Sequence, residues 1–289
     1  MSKSWLKFSL IFLISLFFFA CAAPSIQQKN LSSQIESASR VVALTSLSAD
    51  LTQRLAPDKL VGIVASSLLV KDDRFEDIER VSLGQTPPNL EKIIALKPDL
   101  VIGAEGFYTQ TMSQLEELEI ATLTTNVRSW DGLLSMTKNL AARLDADPKP
   151  LLSEYQSYLQ NIPEQSKSTL VIIDNRPILS PNRNSWAGDL LAQFNVNNVT
   201  ASIQGESSLF RGYIPLSPEA ILKQDPEIIL VVNSEPDVLN RYKSDPFWGE
   251  LNATKNDRVY PFEYYGLINP GSIDRIAAVC NKLQEVLNQ

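Results

Sequence analysis

The 289-residue chain contains no histidine and only two cysteines. The absence of histidine excludes Ser-His-Asp and Cys-His catalysis, and it also excludes zinc or haem sites that use imidazole ligands. Neither the glycine-rich phosphate loop that ends in Gly-Lys-Ser/Thr nor the Gly-x-Gly-x-x-Gly dinucleotide motif occurs in the sequence. Most hydrolytic and redox machinery is therefore excluded, although catalysis by carboxylates is still possible.

The chain is also short of basic side chains. Its 26 Lys and Arg residues stand against 33 Asp and Glu residues, which gives a net charge of −7. Proteins that bind nucleic acid need a basic patch or stripe, so this composition argues against a nucleic-acid partner. The hydrophobic content of 44% is that of an ordinary globular protein. At this length, one large domain or two lobes are expected.

The first twenty residues have the pattern of a secretory signal peptide. Lys3 and Lys7 precede an apolar run at residues 8–20 that only serines interrupt. This run is too short to span a bilayer comfortably, since spanning takes about 20 apolar residues. A basic start followed by a short apolar run is typical of an export signal. We therefore predict that residues 1–20 are a signal peptide and that the mature protein is exported.

A cysteine, Cys21, directly follows the apolar run. Its position resembles the cleavage site of bacterial lipoproteins, where the cysteine carries lipid and becomes the first mature residue. The alternatives are ordinary cleavage after Ala22 and, in an oxidising compartment, a disulfide with Cys280. With lipid on Cys21, we expect a periplasmic or extracytoplasmic protein that a flexible tether at residues 21–39 anchors to the membrane. Cys280 is then a lone buried thiol on the last helix.

From Arg40 onward, short runs rich in β-branched residues alternate with helical stretches. Residues 41–44, 60–64 and 100–102 have the character of buried strands, whereas residues 130–144 repeat apolar side chains with the period of a helix. Strands that alternate with helices predict an α/β fold in which the central sheets are parallel.

Two segments of the sequence repeat each other at a constant offset of 128 residues. In the segments 89–102 and 217–230, a polar N-cap begins a short helix, which a proline ends before a buried strand. The repeat predicts two pseudo-equivalent α/β lobes joined by a single long helix. The predicted parts are an N-terminal lobe at residues 40–146, a connecting helix at 147–166 and a C-terminal lobe at 167–289.

These segments carry a family resemblance. Arg40-Val-Val-Ala-Leu-Thr-Ser46, the segment Pro88-Asn-Leu-Glu-Lys-Ile-Ile-Ala-Leu-Lys-Pro-Asp-Leu-Val-Ile102 and its repeat resemble the substrate-binding proteins of ABC importers for ferric siderophores, haem and cobalamin. Ser185-Trp-Ala-Gly-Asp-Leu-Leu191 and the ending at 257–283 are similar to the same family. The resemblance implies a monomeric binding protein, not an enzyme, whose two lobes hold cargo between them and deliver it to a permease dimer with ATPase subunits.

The candidate ligand-binding residues come from loops that follow the strands. In open α/β sheets, ligands contact the loops beyond the carboxyl ends of the strands. These loops are rich in arginine, which binds carboxylates, and in aromatic rings, which cover flat or apolar groups. We therefore predict a bulky, anionic, partly apolar cargo such as a ferric siderophore, with no resident cofactor or metal. The predicted ligand-binding residues are Tyr108, Arg128, Trp130, Arg183, Trp186, Phe210, Arg211, Tyr213, Tyr264 and Tyr265.

Other interpretations of these residues are open. Each aromatic residue can pack in the core instead, and Arg128 and Arg183 can pair with surface carboxylates. Haem ranks second among the candidate cargoes, and its iron would take a phenolate ligand from Tyr213, Tyr264 or Tyr265. Cobalamin is the third.

Two other classes of function are also open. A carboxylate-dependent enzyme such as a glycosidase would use paired acids, for which Asp50 and Asp189 are the best candidates. Both, however, are predicted inside amphipathic helices rather than at the ends of strands. An adhesive or structural lipoprotein is the other alternative.

Glu91 and Glu219 occupy matched positions in the two repeats, two residues after the N-caps Asn89 and Ser217. A carboxylate in the first turn of a helix is favoured by the macrodipole, which explains an acid at either site. The family resemblance implies more, namely that these glutamates dock onto arginines of the two permease subunits. A pseudo-twofold arrangement of lobes would display both acids on one face.

Overall fold

The chain folds into two β-sheets that pack against helices, as the alternation of strands and helices in the sequence predicts. The computed structural model describes residues 37–82, 86–162, 164, 167–173, 177–203, 212–233 and 246–289. We refer to the part with the first sheet as the N-terminal half and to the part with the second sheet as the C-terminal half.

The N-terminal half is built on a sheet of five parallel strands in the order β3-β2-β1-β4-β5. Its strands are β1 Val41–Ala43, β2 Leu60–Ile63, β3 Glu79–Arg80, β4 Leu100–Ala104 and β5 Ala121–Thr125. Its helices are α1 Ser46–Leu55, α2 Leu90–Ala95, α3 Thr109–Glu117 and α4 Trp130–Arg143, with 3₁₀ turns at Pro57–Lys59 and Asp73–Phe75.

The C-terminal half is built on a mixed sheet in the order β11-β10-β6-β7-β9, with β8 beside β6. Its strands are β6 Ser168–Ile173, β7 Ile178–Pro181, β8 Asn197–Asn198, β9 Tyr213–Leu216, β10 Ile228–Asn233 and β11 Val259–Glu263. Its helices are α6 Trp186–Gln193, α7 Pro218–Gln224, α8 Asn252–Lys255, α9 Tyr264–Leu267 and α10 Ile273–Leu287, with a 3₁₀ turn at Trp248–Glu250.

The expectation of parallel strands needs one correction in the second sheet. Strand β7 runs antiparallel to both β6 and β9. The reason is the short connection from β6 to β7 at residues 174–177, because a parallel pair needs a crossover of a dozen or more residues. The strands β8, β6, β10 and β11 are parallel, as predicted.

The segment predicted as one connecting helix at residues 147–166 contains a shorter helix, α5 Lys149–Tyr158. It follows α4 after a break in which Asp145 has a left-handed backbone (φ 50°) and Pro148 is the N-cap. Asn161, beyond its end, is also left-handed (φ 57°). Because such positions interrupt the helical hydrogen bonds, the chain passes between the halves as two successive helices.

The repeat seen in the sequence is present in the fold. Helices α2 and α7 start at residues 90 and 218, and strands β4 and β10 start at 100 and 228, so both pairs keep the offset of 128. Asn89 caps α2 by accepting from the Lys92 amide at 2.9 Å, and Ser217 caps α7 by accepting from the Ala220 amide at 3.2 Å.

A tertiary contact also repeats. Asp99, just before β4, accepts hydrogen bonds from the amides of Ser39 (2.8 Å) and Arg40 (2.9 Å) at the start of β1. Glu227, its counterpart before β10, accepts from the Ser168 amide (2.9 Å) at the start of β6. Each acid therefore joins the repeat segment to the central strand of its own sheet.

We expect Asp99→Ala to lower the free energy of unfolding by about 1–2 kcal/mol at pH 7, since a charged acceptor of several hydrogen bonds is lost. Burial opposes ionisation, but hydrogen bonds from Ser39 and Arg40 outweigh it and lower the pKa of the Asp99 carboxyl. A carboxyl whose pKa is lower in the folded state stabilises above its unfolded pKa of about 4 and loses this effect as pH falls through its folded pKa.

Urea unfolding of wild type and Asp99→Ala at pH 7 and pH 3 measures this effect. The difference between the two proteins should shrink at pH 3, and a difference that stays constant would contradict the assignment. Glu117→Ala, at an exposed acid of α3, is the control and should change stability little at either pH.

The largest apolar core of the described residues draws on both halves. Val41 and Leu100 enter it from the first sheet, and Val171 and Phe262 enter it from the second. Helices α1, α4, α5, α6 and α10 supply most of the rest. Smaller clusters cover the other sheet faces. The halves are therefore held together by a continuous buried core.

The predicted signal peptide and Cys21 lie outside the described residues, which begin at residue 37. No helix within the described ranges combines the length and apolar character that crossing a membrane requires. Cys280 lies in α10 as a buried free thiol, and burial raises its pKa to about 12. An inert structural thiol is the result.

Candidate ligand-binding cleft

A cavity of about 550 Å³ has walls from both halves of the molecule. The N-terminal half contributes the residues that follow β1, β2 and β4, and the C-terminal half contributes the turn after β11. We call this cavity the cleft. Its lining residues are Leu44, Thr45, Ser46, Val64, Ala65, Ser66, Ser67, Ala104, Phe107, Tyr108, Tyr265 and Asn269. The cleft thus lies at the strand ends where the α/β rule places ligands.

The wall after β1 is fixed by the start of α1. Thr45 is the N-cap, and its hydroxyl accepts from the Ser48 amide at 3.0 Å. The Ser48 hydroxyl in turn accepts from the Thr45 amide at 3.3 Å, which completes a capping box. The amides of Thr45 and Ser48 thereby both have acceptors, so the backbone at residues 44–46 presents a rigid surface to the cleft.

Two aromatic residues, Phe107 and Tyr108, line the cleft between β4 and α3. Their rings meet edge to face with centroids 6.4 Å apart. Tyr108 has a left-handed backbone (φ 55°) as the N-cap of α3, and Phe107 is 65% exposed. A large apolar side chain with this exposure at the rim of a cavity is typical of a ligand contact. Sequence reasoning selected Tyr108 but missed its neighbour.

The facing wall comes from the turn between β11 and α10. Tyr265 lines the cleft and contacts the Tyr264 ring edge to face, with centroids 5.4 Å apart. Asn269 holds the turn closed, because its backbone oxygen accepts from the Gly266 amide at 2.7 Å and its side chain accepts from the Gly271 amide at 3.0 Å. Tyr264 is 41% exposed, and it is Tyr265 that lines the cavity.

Tyr213 is a hydrogen-bond donor rather than an open ligand. Its hydroxyl donates to the Ile268 backbone oxygen at 3.1 Å, so it supports the turn that carries Tyr265 and Asn269. Burial raises the pKa of the Tyr213 phenol above its usual range. Because its hydroxyl is engaged with the Ile268 oxygen and Tyr213 is not part of the described cleft lining, Tyr213 is a poor candidate for a haem ligand.

Two of the predicted ligand-binding residues are core residues. Trp130 and Trp186 are 5% and 3% exposed, and their rings stack with centroids 6.2 Å apart. The indole nitrogen of Trp186 donates to the Gly266 backbone oxygen at 2.8 Å. Both tryptophans belong to the apolar core shared by the halves and neither is part of the described cleft lining, so the structure places them in packing between the halves.

The described arginines of the predicted set lie away from the cleft lining. Arg128 is exposed and lies 3.4 Å from a carboxylate oxygen of Glu105, as the surface-pair interpretation predicts. Arg183 is exposed and donates through Nε to the Ala201 backbone oxygen at 3.1 Å. Phe210 and Arg211 fall outside the described residues.

Of the ten predicted residues, the described cleft lining therefore contains Tyr108 and Tyr265. The lining that sequence reasoning missed includes the residues after β2 at 64–67. The signal was present, since a strand was predicted at residues 60–64 and the same rule applies to its end. The prediction is restricted to arginine and aromatic side chains, so it omits the small residues of this lining.

A second cavity of about 640 Å³ adjoins the cleft, with Ser67 common to both linings. Its wall is rich in charge and includes Lys71, Asp73 and Arg275. Hydrogen bonding to Asp72 raises the pKa of the Arg74 guanidinium above its usual range. Among the described residues, no group of three or more potential His, Cys, Asp or Glu ligands could hold a metal ion.

The two acids considered for catalysis accept hydrogen bonds from backbone amides. Asp50 accepts from the Ile273 amide at 2.7 Å, and Asp189 accepts from the Trp130 amide at 2.6 Å. They lie on different helices and contact different ones, so the described structure does not bring them together as a catalytic pair.

Comparison with known proteins agrees with this architecture. The chain is 25% identical over 237 residues to the ABC transporter substrate-binding lipoprotein YvrC of Bacillus subtilis, covering 76% of this chain and 71% of that protein. It is 24% identical over 219 residues to a vitamin B12-binding protein of Vibrio cholerae, covering 72% of this chain and 76% of that protein.

A solved structure has the same fold. A possible iron-binding periplasmic solute-binding protein of Staphylococcus epidermidis superposes with a TM-score of 0.72 at 18% identity, covering 88% of this chain and 100% of that one. The periplasmic binding protein family model matches residues 41–263, which include both sheets and most of their helices. The chain therefore belongs to the periplasmic binding protein family.

Proposed function

We propose that this chain is the substrate-binding protein of an ABC importer of the iron, haem or vitamin B12 class, and that its cargo is a ferric siderophore. The observation that carries the proposal is the cleft, a cavity of about 550 Å³ with walls from both halves. Its volume lies within the range of about 300–1,000 Å³ that small-molecule sites occupy. In this proposal the chain binds and delivers its cargo without chemical change.

The chemistry of the cleft suits a chelate with flat or apolar groups and a polar rim. Phe107, Tyr108 and Tyr265 supply ring surface, and Thr45, Ser46, Ser66 and Ser67 supply hydroxyl groups. The cavity beside the cleft is lined by three cations and four aspartates, and Arg74 is paired with Asp50, Asp72 and Asp274, so this cavity adds polar surface rather than free positive charge. A partly apolar iron chelate that carries oxygen acceptors fits such a lining.

Haem is the alternative cargo, and of the three tyrosines predicted as haem ligands it is Tyr265 that belongs to the described cleft lining. Cobalamin is the next alternative, and its support is the similarity to a vitamin B12-binding protein of Vibrio cholerae. These cargoes are distinguished by titrating the purified full chain separately with Fe(III)-dicitrate, a ferric catecholate, a ferric hydroxamate, haemin and cyanocobalamin. Tryptophan fluorescence reports binding, because Trp186 contacts the turn that carries Tyr265.

We expect saturable fluorescence quenching by a ferric chelate at concentrations at which haemin and cyanocobalamin have little effect. Saturation by haemin or cyanocobalamin alone would replace the siderophore by that cargo. A chain that responds to none of these ligands would contradict the proposal of a ferric siderophore as cargo.

Phe107→Ala should weaken the binding of the ferric chelate about tenfold, which is about 1.4 kcal/mol, because an exposed ring at the rim loses its contact area with the cargo. Leu118→Ala is the matched control, since Leu118 is 52% exposed near the end of α3 and is not part of the cleft lining. The control should bind as wild type does. Equal affinities of all three proteins would remove Phe107 from the site.

The membrane anchor rests on the sequence alone. We propose that Cys21 carries lipid and holds the protein on the outer side of the membrane, where it meets the permease. Fractionation of cells that express wild type or Cys21→Ala tests this, since only the wild type should be in the membrane fraction.

A further inference from the structure

Two aspartates each reach from one half of the molecule to a helix of the other. Asp50 lies in α1, the first helix of the N-terminal half, and its Oδ2 accepts from the Ile273 amide at 2.7 Å. Asp189 lies in α6, the first helix of the C-terminal half, and its Oδ2 accepts from the Trp130 amide at 2.6 Å. Ile273 and Trp130 are the first residues of α10 and α4. The two contacts are therefore reciprocal.

The helices whose first amides donate these hydrogen bonds occupy equivalent places in the two halves. Helix α4 follows β5, which lies beside β4, and α10 comes after β11, which lies beside β10. Both have a serine N-cap. The Ser129 hydroxyl accepts from the Gly132 amide at 3.0 Å, and the Ser272 hydroxyl accepts from the Arg275 amide at 3.4 Å. The serine of the same half thus satisfies the third helical amide, and the aspartate of the other half satisfies the first.

This arrangement makes each contact strong. The first amides of a helix have no acceptor within the helix. A carboxylate placed there gains a charge-assisted hydrogen bond and a favourable interaction with the helix dipole. Because the acceptor belongs to the other half, moving the halves apart would lose both interactions.

The Asp50 contact lies within a network of charges. Asp50 is fully buried, and its Oδ1 lies 3.1 Å from Arg54 Nε and 3.1 Å from Arg74 Nη1. Both arginines also reach Asp274 of the C-terminal half, at 2.6 Å and 2.9 Å. The Asp189 contact lies instead beside an apolar one, since the ring of Trp130 stacks on that of Trp186.

We propose that Asp50 and Asp189 are positioning residues that fix the two halves against each other and so hold the cleft open at a set width before cargo arrives. Asp50 is in the helix whose start, Thr45 and Ser46, forms one wall of the cleft. Its carboxylate accepts a hydrogen bond from the amide of Ile273, which follows the turn that forms the facing wall. The bond therefore ties the two walls together, whatever the cargo is.

Hydrogen exchange of the ligand-free full chain, followed by mass spectrometry, tests this proposal. In Asp189→Ala, peptides that contain residue 130 should exchange about tenfold faster, which corresponds to about 1.4 kcal/mol. The decisive readout is the opposite contact. Peptides that contain residue 273 should also exchange faster, because a loosened pair of halves strains the Asp50 bond. Amides of the central strands β1 and β6 should keep their rates.

Two further variants separate positioning from capping. Asp131→Ala removes an acid from the first turn of α4 that belongs to the same half, so residue 273 should be unaffected. Asp189→Asn keeps a neutral oxygen acceptor of the same shape and should restore most of the slow exchange at both sites. Asp50→Ala should give the converse pattern, and if it fails to fold, the Asp189 variants still decide the question.

An effect of Asp189→Ala that is confined to residues near 130 would overturn the proposal and leave Asp189 as a helix cap. Equal acceleration of all peptides, β1 and β6 included, would also overturn it, because the substitution would then act on global stability. Acceleration at 130 and 273 together, with β1 and β6 unchanged, supports it.

Discussion

Replacing Glu91 and Glu219 together by alanine should abolish uptake of cargo while leaving cargo affinity and melting temperature close to those of wild type. Both acids are exposed in the first turns of α2 and α7, at positions 128 residues apart in the repeat. A hydrogen bond from Ser217 lowers the pKa of the Glu219 carboxyl, so this acid is ionised at neutral pH. Exposed carboxylates of this kind govern association with a partner more than folding.

The repetition of the acid in both halves favours a docking role for Glu91 and Glu219. Macrodipole stabilisation explains one acid at the start of one helix. Here the equivalent helix of each half has an acid at the equivalent place, behind an N-cap that the structure places as predicted. We propose that this pair meets the two subunits of the permease, since a pseudo-twofold surface matches a partner with twofold symmetry.

The experiment measures uptake of the labelled ferric chelate identified by the titration, in cells that carry wild type or variant protein. Glu117→Ala with Glu285→Ala is the matched control, because it also removes one exposed acid from each half and the same total charge. The control should transport normally. Normal transport by Glu91→Ala with Glu219→Ala would leave both residues as acids that stabilise helix starts.

The fold could be predicted because its signals are local. At residues 89–102 and 217–230, a capping residue, a short apolar helix, a proline and a buried run follow one another in the chain, and the structure forms a helix and a strand in both places. The reversed strand β7 was missed. Its direction follows from the four-residue connection after β6, where Asp174, Asn175 and Pro177 are typical turn residues, and no strand was predicted beyond them.

The lining of the cleft could be predicted only in part, because the burial of a side chain depends on tertiary packing. Trp130 and Tyr108 both lie beside the start of a helix after a strand, so their sequence surroundings are alike. Packing of the two halves buries Trp130 against Trp186 and leaves Tyr108 at the cleft. The bond from Asp50 to Ile273 joins residues 223 positions apart, and no local pattern announces such a contact.

Gly266→Ala should lower the free energy of unfolding by about 3 kcal/mol or more, the largest stability loss that we expect from a single methyl group in the wall of the cleft. Gly266 has a φ of +95°, which L residues rarely adopt. A Cβ there would lie 2.3 Å from the Arg275 backbone oxygen and 2.6 Å from Val279 Cγ2, both in α10. The backbone oxygen of Gly266 also accepts the Trp186 indole hydrogen bond.

Substitutions at two other glycines separate the contribution of backbone strain from that of the steric clash. Gly106 has a φ of +79°, but no described atom lies within 4 Å of its Cβ position, so Gly106→Ala adds only backbone strain of about 1–2 kcal/mol. Gly249 has neither feature, and Gly249→Ala should stay within about 0.5 kcal/mol of wild type. Urea unfolding with equal m-values gives the three energies. If Gly266→Ala costs no more than Gly106→Ala, then α10 can move away from the turn, and the facing wall of the cleft is not fixed by this contact.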